Sequence, residues 1–113
     1  MKKVVFTEEA EQDLRDAVSW YESQKKGIGK NLANEVIEKV QKLSLKPDSY
    51  SADHTGLRKT SLKSFPYIIY FLVKLPVVLI LAVWHKSRLK AAVDKRAGSL
   101  NPSDNEGSQQ RQV

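Results

Sequence analysis

The chain has 113 residues, no cysteine, and 19 Lys/Arg against 13 Asp/Glu, for a net charge of +6. A single domain of this length buries roughly two-thirds of its unfolded surface without staples. The absence of cysteine excludes disulfides, thiolate metal sites and a cysteine nucleophile, and suits a reducing, cytoplasmic compartment.

The apolar start, Met1 to Phe6, turns polar at Thr7 and is too short for a signal-peptide core. The longest apolar run, Leu75 to Trp84, is about half of what a bilayer span needs, so no membrane association is expected. The charge is uneven. Residues 1–50 carry nine basic and nine acidic side chains, residues 51–96 carry nine basic against Asp53 and Asp94, and residues 97–113 carry one basic against two acidic. The middle segment therefore holds the positive field, which attracts polyanions or an acidic partner.

Lys2 to Phe6 is short, β-branched and aromatic, the pattern of a strand. Thr7 suits a helix N-cap, with Glu8 and Glu9 in the first turn where the helix dipole favours carboxylates. Ala10, Leu14, Ala17, Val18 and Tyr21 then recur on one helical face, and Trp20-Tyr21 reads as core and rim packing rather than a stacking platform. Gly27 and Gly29 mark a turn. A second helix from about Ile28 to Leu45 carries the stripe Leu32, Val36, Val40 and Leu43, and ends at Lys46-Pro47 because proline disfavours a helical residue before it. Together these make an antiparallel αα-hairpin.

Residues 48–56 are turn-rich. Leu57 to Leu62 fits a strand, Pro66 precedes a strand from Tyr67 to Lys74, and Val77 to Trp84 forms the last strand. Leu75-Pro76 is short enough to close a hairpin. Leu89 to Arg96 fits a short helix. The domain is expected to span residues 1–96, with 97–113 a polar, disordered tail.

Strand alternation puts Tyr67, Ile69, Phe71 and Val73 on one face, with Ile68, Tyr70 and Leu72 on the other. In the last strand it sets Val77, Leu79, Leu81, Val83 and His85 against Val78, Ile80, Ala82 and Trp84. Both faces are apolar, unlike a half-solvated antiparallel sheet. One αα-hairpin covers one face only. The second needs the 87–96 segment (through Leu89, Ala92 and Val93), a partner helix in the groove, or a second copy of the chain.

His54 and His85 lie far apart without carboxylates at ligand spacing, so no metal is expected, and no glycine-rich phosphate loop or other cofactor motif is present. Arg58, His85 and Arg88 fall at strand ends, with Lys59, Lys63, Lys86 and Lys90 nearby. Arginine clamps phosphate and histidine exchanges protons near neutral pH, so with Tyr67 or Tyr70 these groups suit metal-free RNA cleavage. The plainer alternative is that both arginines pair with acidic groups or a partner and His85 ends its strand.

The order of these elements, with Thr7-Glu8-Glu9-Ala10-Glu11-Gln12-Asp13-Leu14, Trp20-Tyr21, Gly56-Leu57-Arg58, Phe65 to Tyr70 and Ile80 to Arg88, resembles the RelE/ParE superfamily of toxins from type II toxin–antitoxin modules, the ParE-like plasmid-stabilisation branch in particular. The resemblance spans about residues 3–90. It implies an α+β fold, β-α-α-β-β-β, with an antiparallel sheet and the αα-hairpin on one face. It also implies a cognate antitoxin that wraps the toxin with an amphipathic segment, in a toxin–antitoxin hetero-oligomer or around a toxin homodimer. The surface expected to receive partners comprises Tyr67, Ile69, Tyr70, Phe71, Trp84, Lys86 and Arg88.

RelE-like members cleave mRNA on the ribosome with Lys, Arg and a C-terminal Tyr, whereas ParE-like members inhibit DNA gyrase and are not nucleases. Arg58 matches the arginine that opens the middle strand. His85-Lys86-Ser87-Arg88 stands where RelE-like chains carry an Arg–Tyr pair, which favours the ParE-like reading. Arg58, His85 and Arg88 are the catalytic candidates if the chain is a nuclease. A third reading is an inactive member that only binds its partner or represses its operon with it.

Overall fold

The two apolar runs pair with each other where the chain breaks at Leu75-Pro76. In the computed structural model, which describes residues 2–100, β3 (Tyr67–Lys74) and β4 (Val77–His85) form an antiparallel hairpin at the centre of a four-stranded sheet. β2 (Arg58–Ser61) pairs antiparallel with β3, and β1 (Lys3–Phe6) lies on the far side of β4, giving the order β1-β4-β3-β2. α1 (Glu8–Gln24) and α2 (Ile28–Leu45) form the expected hairpin, and α3 (Ala91–Ser99) closes the described chain.

The sheet is mixed rather than antiparallel. β1 runs parallel to β4, with Val4 beside Val78 and Phe6 beside Ile80. Short links enforce antiparallel pairing between β2, β3 and β4, but two helices and two strands separate β1 from β4, a connection long enough for a parallel crossover.

The strict alternation expected in the last strand also fails. Tyr70 pairs with Ala82 and Phe71 with Ile80, so Leu81 is an extra residue in β4. This β-bulge shifts the phase. Val78, Ile80 and Val83 face the αα-hairpin, whereas Leu81, Ala82 and Trp84 face the other way.

Local chemistry explains the helix ends. Thr7 adopts an extended conformation and its Oγ1 accepts from the Ala10 N–H at 3.0 Å. The start of α2 is capped from α1, because the Glu22 carboxylate accepts from the Gly27 N–H at 2.8 Å and the Gly29 N–H at 3.0 Å. A carboxylate there satisfies orphan donors and complements the helix dipole. Gly27 takes φ 94°, a left-handed conformation that side-chain-bearing residues rarely adopt.

The sheet separates two cores. Under the αα-hairpin, Ala10, Ala17, Leu32, Val36 and Leu43 pack on Ile69, Phe71, Val78, Ile80 and Val83. On the opposite face Leu57, Tyr70, Leu72, Leu81, Ala82 and Trp84 pack with Val93 and Ala97 of α3. The chain thus covers part of its own second face. The covering residues are Val93 and Ala97, whereas Leu89 is 81 % exposed and Ala92 is exposed. The segment assigned to the tail therefore begins helical, since α3 runs to Ser99 with Ala97 buried. The rest of that expectation, residues 101–113, lies outside the described residues.

Ahead of β2, Asp53 organises the turn. Its Oδ1 accepts from the Thr55 N–H at 2.8 Å, the Thr55 hydroxyl at 2.5 Å and the Leu57 N–H at 3.1 Å, while Oδ2 meets Lys90 Nζ at 3.0 Å. Burial alone would push this carboxyl up. The hydrogen bonds from Thr55, Lys90 and Leu57 outweigh it and hold the group well below the usual carboxylate range. A depressed folded pKa contributes stability that is complete above the unfolded value, about 3.9, and is lost as pH falls below that toward the folded value. Acid titration of stability is therefore expected to steepen below about pH 4 in the native chain and to flatten in Asp53→Asn, with urea unfolding at stepped pH as the measurement.

Candidate functional site

The sequence draws attention to the far end of the β3–β4 hairpin, where Tyr67 and His85 are paired across the two strands. Their rings meet edge to face with centroids 5.1 Å apart. His85 Nδ1 lies 3.0 Å from the Ser87 N–H and 2.7 Å from Ser87 Oγ. With Nδ1 accepting from the backbone, the neutral ring carries its proton on Nε2.

Burial, the neighbouring Tyr21 and, in opposition, the Arg88 charge act on the Tyr67 hydroxyl, and the net effect raises it above the ordinary tyrosine value. It stays protonated at neutral pH and is a donor rather than a base. Arg88 stacks on Trp84 with its guanidinium carbon 3.7 Å from the ring centroid, and Lys86 is exposed beside it. Tyr67, His85 and Arg88 thus gather at one corner of the sheet.

Arg58 is not part of this corner. It is paired in register with Phe71, four residues along β3 from Tyr67 and on the opposite side of β3 from β4. Strand geometry separates it from His85 by about 13 Å along the sheet and about 9–10 Å across it. Its guanidinium is partly engaged: Nη1 donates to the Tyr50 carbonyl at 2.5 Å, Nη2 lies 3.8 Å from the exposed Asp48, Nε is buried without a partner, and the side chain is 20 % exposed. Through Tyr50, and with Asp48 nearby, Arg58 ties the turn before β2 to the sheet.

The expected partner surface needs correction. Ile69 and Phe71 are fully buried under the αα-hairpin, and Tyr70 and Trp84 are about as buried beneath α3. These four side chains are core, because α1 and α2 cover one face and α3 the other. Of that set, Tyr67, Lys86 and Arg88 retain surface.

The structure adds a group that sequence reasoning missed. Asp13 of α1 and Arg96 of α3 form a two-point ion pair, with Arg96 Nη1 2.7 Å from Oδ2 and Nη2 3.1 Å from Oδ1. Asp13 Oδ2 also accepts from the Val83 N–H at 3.1 Å, and Arg96 Nη1 also donates to the Leu81 carbonyl at 2.9 Å. β1 pairs with β4 only as far as Ile80. The pair therefore serves backbone groups of β4 beyond that point. Asp13 holds the Arg96 guanidinium above its ordinary value, against the opposing effect of burial. The 83-residue separation hides this contact from any local pattern. The one legible signal was an acidic residue among the otherwise solvated positions of the first helix.

A further gap in the surface lies between the helices. Phe6, Leu14, Val36, Ile37 and Val40 line a groove of about 340 Å³, bordered by Glu11, Arg15 and Gln41. Ile37 at its rim is 52 % exposed. Among the described residues there is no cluster of three His, Cys, Asp or Glu suited to a metal, and no helix long and apolar enough to cross a membrane.

Comparison with known proteins agrees with this architecture. A solved structure described as "Chromosomal ParDE TA system from P. aeruginosa" superposes with a TM-score of 0.68 at 20 % sequence identity, covering 75 % of this chain and 96 % of that one. At that identity the likeness speaks for the fold. A search of curated proteins finds no significant match. Residues 4–90 match the family described as "ParE toxin of type II toxin-antitoxin system, parDE". That match takes in β1 through β4 and the corner at His85, and the chain accordingly belongs to the ParE toxin family of type II toxin–antitoxin systems.

Proposed function

We propose that the chain inhibits growth by binding DNA gyrase in the cytoplasm, as ParE-like toxins do, and that a cognate antitoxin neutralises it. The observation that carries the choice of target is the separation of Arg58 from His85 and Arg88. Metal-free RNA cleavage needs a base, an acid and cations converging on one phosphate. Here the arginine that opens the middle strand is held by Asp48 and Tyr50 at the other end of the sheet. For the antitoxin, the groove between α1 and α2 fits the apolar side of an amphipathic segment, with Ile37 as the rim contact.

The test is expression without antitoxin in a susceptible host. Growth arrest with loss of plasmid supercoiling, and no new mRNA ends by primer extension, is the expected result. Toxicity is expected to survive His85→Ala/Arg88→Ala. Normal growth at full induction would instead identify an inactive partner-binding member. The proximity of Tyr67, His85 and Arg88 is the one observation on the side of an endonuclease. Ribosome-dependent mRNA cuts abolished by that double variant would establish it.

A further inference from the structure

β1 is an edge strand, and its free side is open. The Thr7 N–H donates to the Ile80 carbonyl at 3.0 Å, so by strand alternation the N–H and C=O of Lys3 and Val5 also turn toward β4. Those of Val4 and Phe6 turn outward, and among the described residues no backbone group meets them. The Lys2 N–H, next in that outward series, is taken by the Ser44 carbonyl at 2.9 Å. The open stretch is therefore Val4 to Phe6. At its centre stands Val5, a large apolar side chain that is 36 % exposed.

Charge is divided across this stretch. Lys2 and Lys3 precede it, and Glu8 and Glu9 follow it; all four are exposed. Among the described residues Lys2, Lys3 and Glu8 enter no ion pair, and Glu9 reaches Arg96 only at 3.7 Å. A strand that is basic at one end and acidic at the other matches its own antiparallel copy.

The backbone selects the same arrangement. With Val5 on a two-fold axis, Val4 lies opposite Phe6 of the second copy, and Phe6 opposite that copy's Val4. Each such pair exchanges both of its backbone bonds, so every outward group of the open stretch is satisfied. This register also sets Lys2 opposite Glu8 of the second copy. The two neighbouring registers fail. Val4 on Val4 needs the Lys2 N–H, already given to Ser44, and Phe6 on Phe6 sets Val4 against Glu8, which is helical. Lysine on an edge ordinarily blocks pairing with foreign strands. Glu8 relieves that block for one partner in one register.

We propose that two copies of the chain pair antiparallel through β1, about a two-fold axis at Val5, so that one sheet runs through both. The contact is isologous and closed, so it uses the edge up rather than propagating it. It stands apart from the gyrase reading, and no antitoxin enters its test.

Four main-chain bonds and one apolar pair make a small interface, of the weak class below about 1,200 Å². The full chain is followed by sedimentation velocity from about 5 to about 500 µM, the range over which so weak a dimer fills. A monomer–dimer equilibrium is expected. Amide exchange at Val4 and Phe6 is expected to slow as concentration rises, whereas Thr7, bonded to Ile80 in either state, stays constant. Val5→Lys sets like charges face to face on the axis and is expected to weaken the dimer about tenfold. Lys2→Glu and Glu8→Lys, each alone, oppose like charges twice and are each expected to weaken it by about the same factor. Mixed in equal amounts, these two variants are expected to pair with each other at near-native affinity, because every contact is then opposite in sign.

A monomer throughout the range overturns the proposal. So does a dimer whose Val4 and Phe6 amides exchange as fast as the monomer's, or one that Val5→Lys leaves intact. Absence of recovery on mixing the two charge variants overturns it as well.

Discussion

Asp13→Ala is expected to lower stability by about 3–5 kcal/mol, the cost of removing one partner from a buried ion pair. Against a total of about 5–15 kcal/mol for a domain, this leaves a marginally folded chain. The side chains of Asp13 and Arg96 are only 10 % and 16 % exposed, so solvent screens the pair weakly. Truncation strands the Arg96 guanidinium over Trp84, where its carbon lies 4.8 Å from the ring centroid, with Glu9 at 3.7 Å as its remaining acidic neighbour. It also leaves the Val83 N–H without its acceptor.

Arg96→Ala is expected to cost a similar amount, since the Asp13 carboxylate then loses its cation and the Leu81 carbonyl its donor. The informative variant is the double one. If the pair were only a matched charge, removing both partners would recover most of the loss. Because the pair also serves two backbone groups of β4, Asp13→Ala/Arg96→Ala is expected to recover only part of it. Urea unfolding of the four proteins gives the coupling energy. Full recovery would show that water satisfies Val83 and Leu81 equally well.

Gly29→Ala should destabilise by about 2 kcal/mol, a sign opposite to that of helix propensity. In an exposed helix the same change stabilises by up to about 1 kcal/mol. A Cβ on Gly29, however, would lie 2.6 Å from the Val18 carbonyl oxygen and 3.0 Å from both Val18 Cγ1 and Glu22 Oε1. The first contact is with backbone, which moves only if α1 and α2 separate, and overpacking of this kind costs about 1–3 kcal/mol. Separation also lengthens the hydrogen bond from the Gly29 N–H to Glu22. Gly29→Val is expected to cost more still. A thermal midpoint equal to or above that of the native chain in Gly29→Ala would mean that the helices part without penalty.

What the sequence made legible was local. Thr7 with Glu8 and Glu9 marked the start of α1 because capping chemistry acts over three residues. The β3–β4 hairpin and the αα-hairpin followed from periodicity and from turns at Pro76 and Gly27. What stayed hidden was set by distance or by a single irregular residue. The parallel placement of β1 depends on where two helices return the chain. The bulge at Leu81 reverses the phase of its strand, and no side chain in the run from Val77 to Val83 announces it. The cover of the second face stayed open among three alternatives; Val93, named for self-coverage, is buried there, whereas Ala97 sits in a segment that reads as polar tail.

The candidate site divides in the same way. Tyr67, His85 and Arg88 converge because one hairpin carries them, whereas Arg58 diverges because its strand meets β3 at the other end.

The Asp13–Arg96 pair has a meaning for how copies of the chain treat one another. β4 is the most apolar strand, and a bare edge on it would be a template for intermolecular pairing. β1 screens it to Ile80, and the ion pair occupies the Val83 donor and the Leu81 acceptor just beyond. The edge strands of the sheet are β1 and β2, each four residues long, with exposed Lys3 and Val5 on one and exposed Lys59 and Ser61 on the other. Two side chains from opposite ends of the chain thus act as a guard against aggregation, and their loss exposes the segment most prone to β-association.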